Sequence, residues 1–195
     1  MSVRWRTVAP FVIAALVVAA IAGSIAAAGR NDVVDPNDTR GVLDVRAVRF
    51  KDPTGDPPQW TILTFDGWSL AKIWDRGYLY VQLDTFGAES ADYAAVLRST
   101  GRNLVGHLFK LGKGNGGRDV LKGSLTARKG SAASVSVKVS LKRLKFGEQR
   151  TFYRWWVVTT LSSGTCPRVC VDRAPNDGSV LEYRPGMSPT PSPTP

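Results

Sequence analysis

Hydrophobic and polar residues alternate with a period of two in several short runs within residues 42–185. Strands with one buried face have this pattern. In residues 77–84, GYLYVQLD, Leu79, Val81 and Leu83 fall on one side and Tyr80, Gln82 and Asp84 on the other. Residues 134–141 repeat it: Val135, Val137, Val139 and Leu141 face one way, Ser134, Ser136, Lys138 and Ser140 the other. The same reading predicts strands over 43–50, 59–65, 92–98 and 104–110, with a weaker one over 119–126. Residues 151–161, TFYRWWVVTTL, are the most strand-prone, being aromatic and β-branched throughout.

Turn chemistry separates these runs. KDPTGDPP (51–58) breaks the chain, TGRN (100–103) is a tight turn, and GKGNGG (112–117) is a hairpin tip. No Gly-Lys-Ser/Thr follows the last, so it is not a phosphate loop. Residues 67–74 read as a short helical turn or a loop covering a sheet end. With about eight or nine short strands and no long amphipathic helix, the pattern predicts an antiparallel β-sandwich, with a closed barrel as the competing architecture.

Residues 42–185 therefore form the expected domain, and both ends differ from it. Arg4 and Arg6 precede a charge-free apolar run over 7–29. Its length suits a membrane-spanning helix, and Ala20-Ile21-Ala22 and Ala26-Ala27-Ala28 suit signal cleavage. Retained anchor and cleaved signal are both open. Either places the domain outside the cytoplasm, on the cell membrane or secreted. Residues 30–41 read as a linker, and the Pro-rich end at 186–195 as disordered. The sequon Asn37-Asp38-Thr39 is a chance-level match.

Cys166 and Cys170 are the only cysteines. In an exported domain they pair as a local disulfide, worth about 2 kcal/mol for so small a loop. Cys-x3-Cys is not a redox CxxC, and one histidine in the chain leaves zinc short of ligands.

Charge is uneven. Residues 31–92 hold 6 basic and 11 acidic residues, whereas 93–154 hold 14 basic and 2 acidic. A basic half could meet nucleic acid, anionic lipid or an acidic envelope polymer; export excludes nucleic acid. Solvated strand faces account for the same charges.

The succession LDVRAVRF, QWTILTFDGW, YLYVQLDTFGAESADY, TFYRWWVVTT and CPRVCVDRAP resembles a group of uncharacterised exported β-sandwich domains, mostly actinobacterial. These are distantly similar to jelly-roll carbohydrate-binding modules. The resemblance implies a jelly-roll-like fold over roughly residues 43–177 and leaves function open. In many such domains the loop after Leu-Asp-Thr reads Asp-Thr-Asp-Gly-Asp-Gly and looks suited to calcium. Here Phe86 and Ala88 replace the middle acids. Asp84, Glu89 and Asp92 remain as possible ligands, short of the six to eight oxygens calcium takes. A loop that has lost its metal is the expectation, with no cofactor.

Candidate chemistry is sparse. The sole histidine, His107, shares a strand face with Val105 and Phe109, and no Gly-x-Ser-x-Gly elbow exists. Most of the acids sit in loops beside Pro, Gly or Asn, where turn formation accounts for them, so a glycosidase pair is not expected. A non-enzymatic domain follows, with a hydrolase the least favoured reading. Alternation sends Tyr153, Trp155 and Val157 to one face and Arg154, Trp156 and Val158 to the other. Trp155 is expected in the core and Trp156 partly exposed. An exposed Trp156 beside Arg154, or Trp68 and Trp74 in their loop, could stack on a sugar. Lys138 and Lys142, within the basic run that includes Arg143 and Lys145, could meet an anionic polymer or protect a sheet edge. The leading expectation is a cell-envelope module that binds a glycan or anionic polymer. The alternative is a protein-interaction or accessory domain of an envelope complex.

Overall fold

The computed structural model describes residues 32–51, 57–66, 68–73, 76–88, 90–114, 117–131, 133–145, 152–162, 166, 168–184 and 190–191. The expected N-terminal helix over 1–29 lies outside them. Among the described residues, no helix is long and apolar enough to cross a membrane.

The chain is all-β and antiparallel. Its strands are β1 (Asp32–Val34), β2 (Val45–Lys51), β3 (Gln59–Thr64), β4 (Gly77–Asp84), β5 (Tyr93–Ser99), β6 (Leu104–Lys110), β7 (Val120–Lys129), β8 (Ser134–Lys138), β9 (Tyr153–Leu161), β10 (Cys170–Ala174), β11 (Leu181–Tyr183) and β12 (Thr190–Pro191). One turn of helix, α1 (Leu70–Ile73), precedes β4. The alternation placed β4 and β6 at their observed bounds. It extended β8 too far: Leu141–Leu144 is a 3-10 turn that drops Leu144 into the core. β1 lies in the segment expected to be linker, and β12 in the expected tail.

Strands β4 to β8 form a meander of consecutive hairpins. β3 adds outside β8, and β9 adds outside β4. β7 turns the corner: Val120–Leu125 runs along β6, and Thr126–Lys129 runs along β8. The register slips between Leu108 and Phe109, where Lys122 is the extra residue and Gly123 takes a φ of 128°. Such a bulge bends a strand and increases its twist. β10 and β11 succeed one another along the free edge of β9, bringing β10 beside β2. There Val45 N donates to Asp172 Oδ2 at 2.6 Å, and Thr159 Oγ1 donates to the Leu43 carbonyl at 2.7 Å. The strands thus nearly close into a barrel, with a seam between β2 and β10 held by side chains.

Inward positions fill the interior. Val48, Ile62, Leu79, Val81, Leu83, Val135 and Val137 are completely buried. An aromatic group packs among them: Phe50 lies 5.2 Å from Trp60, 5.6 Å from Trp155 and 5.2 Å from Tyr183, and Tyr153 lies 5.0 Å from Tyr183, centroid to centroid. Offset and edge-on rings at this spacing contribute beyond the area they bury. The expectation for Trp155 holds. Gly77 starts β4 because a Cβ there would stand 2.7 Å from Leu43 Cδ1 and 3.0 Å from Ile73 Cβ.

Candidate functional site

Two features stand out: a basic sheet face and an aspartate cluster at the seam. The outward side chains of β2, β3, β8 and β7 line up across the ladder. One row runs Lys51, Gln59, Lys138, Thr126, and the next runs Arg49, Thr61, Ser136, Arg128. Four cations therefore share with hydroxyl and amide groups a face about 14 Å wide, at the usual strand spacing. Gln59, Thr126, Arg128, Ser136 and Lys138 line a shallow groove of about 430 Å³ there. Asp32 lies at its edge and pairs with Arg49 at 3.5 Å.

The second feature gathers Asp35 after β1, Asp38 and Asp44 in the loop before β2, and Asp172 on β10. One oxygen from each of Asp35, Asp38 and Asp172 lies within 4.8 Å of the other two. Asp35, Asp44 and Asp172 are 3%, 2% and 3% exposed, whereas Asp38 is exposed. Asp35 Oδ2 and Asp44 Oδ1 are buried without a hydrogen-bond partner. Burial, then repulsion from Asp172 and the other aspartates, pushes the Asp35 carboxyl up to about 8. The same causes raise Asp44 to about 6. Asp172 is raised by burial and by Asp38, against the pull of Val45 N. A cleft of about 810 Å³ opens beside the cluster, with Asp38, Arg40, Asp44, Asp66 and Lys72 among its lining. Sequence reasoning missed this site. Asp35-Pro36-Asn37-Asp38 reads as turn chemistry, and nothing in a single sequence brings Asp172 to it.

The acidic loop after β4 is held by hydrogen bonds to its own carboxylates. Asp84 Oδ1 accepts from Phe86 N at 3.0 Å, Gly87 N at 2.8 Å and Ala88 N at 3.3 Å. Asp92 Oδ2 accepts from Thr85 N and Thr85 Oγ1, and its Oδ1 meets Lys113 Nζ at 2.6 Å. Amide hydrogens, a hydroxyl and an ammonium thus engage the oxygens of Asp84 and Asp92 within the fold. Glu89 lies outside the described residues.

Two tryptophans expected to meet a ligand are covered. Trp156 is 7% exposed because Arg173 lies over its ring at 5.5 Å, held there by the Gly178 and Ser179 carbonyls. Trp68 is 4% exposed. Trp74 lies outside the described residues. Arg154 pairs with Glu182 at 3.4 Å across β9 and β11, so it is engaged within the fold. Arg143 Nη1 donates to the Ser124 carbonyl at 2.6 Å, and Lys142 is exposed on the 3-10 turn. Of the nominated cations, Lys138 alone joins the basic rows.

Cys166 and Cys170 form the expected disulfide, with S–S at 2.07 Å, at the start of β10. His107 is half-buried on β6, and its Nδ1 has no hydrogen-bond partner among the described residues. No protein-family model, curated protein or solved structure matches this chain.

Proposed function

We propose that the chain is an extracytoplasmic, non-enzymatic binding module, anchored or secreted, that holds an anionic polymer or acidic glycan of the cell envelope. The observation that carries this reading is the pair of cross-strand rows placing Arg49, Lys51, Arg128 and Lys138 on one face. Repeated anionic groups along a polymer would meet these cations, and the intervening hydroxyls and amides would accept its other hydrogen bonds. The binding surface moves from the tryptophans of β9 and the α1 loop to this sheet face. In this reading the near-barrel is a flattened two-layer sandwich, with the basic face forming one outer surface.

The full chain, incubated with cell-wall fractions or purified teichoic acid at low salt, is expected to be retained and to be released by raised salt. Lys138→Glu with Arg128→Glu abolishes retention. No retention on any anionic fraction at low salt, or unchanged retention of the double variant, would defeat the reading.

A second reading, an interaction domain of an envelope complex, draws on a different surface. Phe86, Val120 and Leu121 are 57%, 50% and 55% exposed. Phe86 and Val120 line one cleft of about 430 Å³ with Lys113 and Arg118. Exposed apolar residues grouped this way mark protein contacts. Cross-linking from Phe86 that recovers one partner, without polymer retention, would favour it.

A further inference from the structure

We propose that Asp35, Asp38 and Asp172 bind one calcium ion, which joins β2 to β10 across the seam of the near-barrel. The site is independent of the basic face and of any ligand held there.

Three observations carry the assignment. First, the oxygens of the three carboxylates lie within 4.8 Å of one another. Calcium–oxygen distances are about 2.3–2.6 Å, so ligands on opposite sides of one ion stand about 4.6–5.2 Å apart. The three oxygens therefore lie within the spread that one calcium ion can bridge. Second, Asp35 is 97% hidden from solvent, and its Oδ2 meets no donor. Asp44 adds another buried, unpartnered oxygen beside it. A buried carboxylate without a partner is costly, and a bound cation or a proton relieves that cost. Third, no cation among the described residues pairs with these aspartates. None of the ion pairs among the described residues includes Asp35, Asp38, Asp44 or Asp172.

The donor set selects the ion. All the groups are hard oxygens, which suit calcium and magnesium rather than zinc or copper. Calcium accepts irregular shells of carboxylates, carbonyls and water, whereas magnesium demands an octahedron and keeps its waters. Exposed Asp38 at the mouth of the cleft provides the entry path. The linkage also has a direct mechanical meaning. Asp35 and Asp38 precede β2, while Asp172 lies far along the chain on β10, where its Oδ2 already holds Val45 N. An ion bound to all three closes the barrel where no backbone ladder does.

The full-length chain, stripped with EDTA and titrated with calcium chloride, tests this by calorimetry and thermal unfolding. One ion is expected per chain, with the unfolding midpoint rising by at least about 5 °C at saturation. Asp35→Asn and Asp172→Asn should each abolish that rise. Asp35→Asn should also leave the midpoint in EDTA equal to or above that of the unaltered chain, because asparagine keeps the size of the side chain and cannot ionise beside the other aspartates. Asp38→Asn, at the exposed edge, should keep the fold and weaken calcium binding at least about tenfold, since affinity follows ligand charge. Absence of binding and of any midpoint shift at millimolar calcium would overturn the proposal. So would an undiminished response in Asp35→Asn and Asp38→Asn, which would place the ion elsewhere, or an equal response to magnesium.

Discussion

Single residues show how far alternation can be trusted. It separated Trp155 from Trp156 correctly, and Trp155 is completely buried as its position demands. It could not show that Arg173, 17 residues later, would cover Trp156 on the outer face. Period two assigns sides; only tertiary packing says what lies over each side. Asp92 makes the same point with charge. Burial alone would raise its carboxyl, but the hydrogen bond from Lys113 and those from Thr85 hold it below the usual carboxylate range. A lowered folded-state value contributes stability above the unfolded value, and that contribution is lost as pH falls through the lowered one. Acid unfolding followed by tryptophan fluorescence should therefore shift to higher pH in Lys113→Ala. An unchanged acid midpoint would mean that Thr85 alone keeps Asp92 ionised.

Among the elements, legibility depends on having one buried and one wet face. β4 and β6 have both, and their bounds were readable. β7 is exposed or half-buried along its whole length, so its ten residues carry little alternation and only a shortened strand was expected. β1, β10 and β11 have three to five residues and gain their identity from the edges they pair with, which no local pattern encodes. The bulge in β7 has a sequence mark, Gly123, whose φ of 128° is unsuited to residues with a Cβ. Arg143 Nη1 also stands 3.2 Å from where that Cβ would sit. Gly123→Ala is expected to cost about 1–3 kcal/mol of stability in urea unfolding, through backbone strain and displacement of Arg143. A loss of a few tenths would show that β7 can straighten without harm, leaving the corner to be explained by β8.

Across the whole molecule, the meander from β4 to β8 assembles from neighbouring hairpins, whereas β2–β3 and β9–β10 come from opposite ends of the domain and come together only as the barrel closes. The two candidate sites divide along this line. The basic rows sit on continuous ladders, and the aspartates sit where the ladder stops. The basic half was visible as charge in the sequence, but its rows required the register, and the aspartate cluster required closure itself. Opening should therefore begin at the seam, because local stability falls where few ladder hydrogen bonds hold a segment. Thr159→Val tests this with little change of shape. It removes the 2.7 Å hydrogen bond to the Leu43 carbonyl and leaves that acceptor buried, at a cost of about 1–3 kcal/mol. Hydrogen exchange should accelerate across 32–51 and remain slow in β5 and β6. Uniform acceleration through the meander would show that the barrel opens only as one unit and that the seam is not its weakest joint.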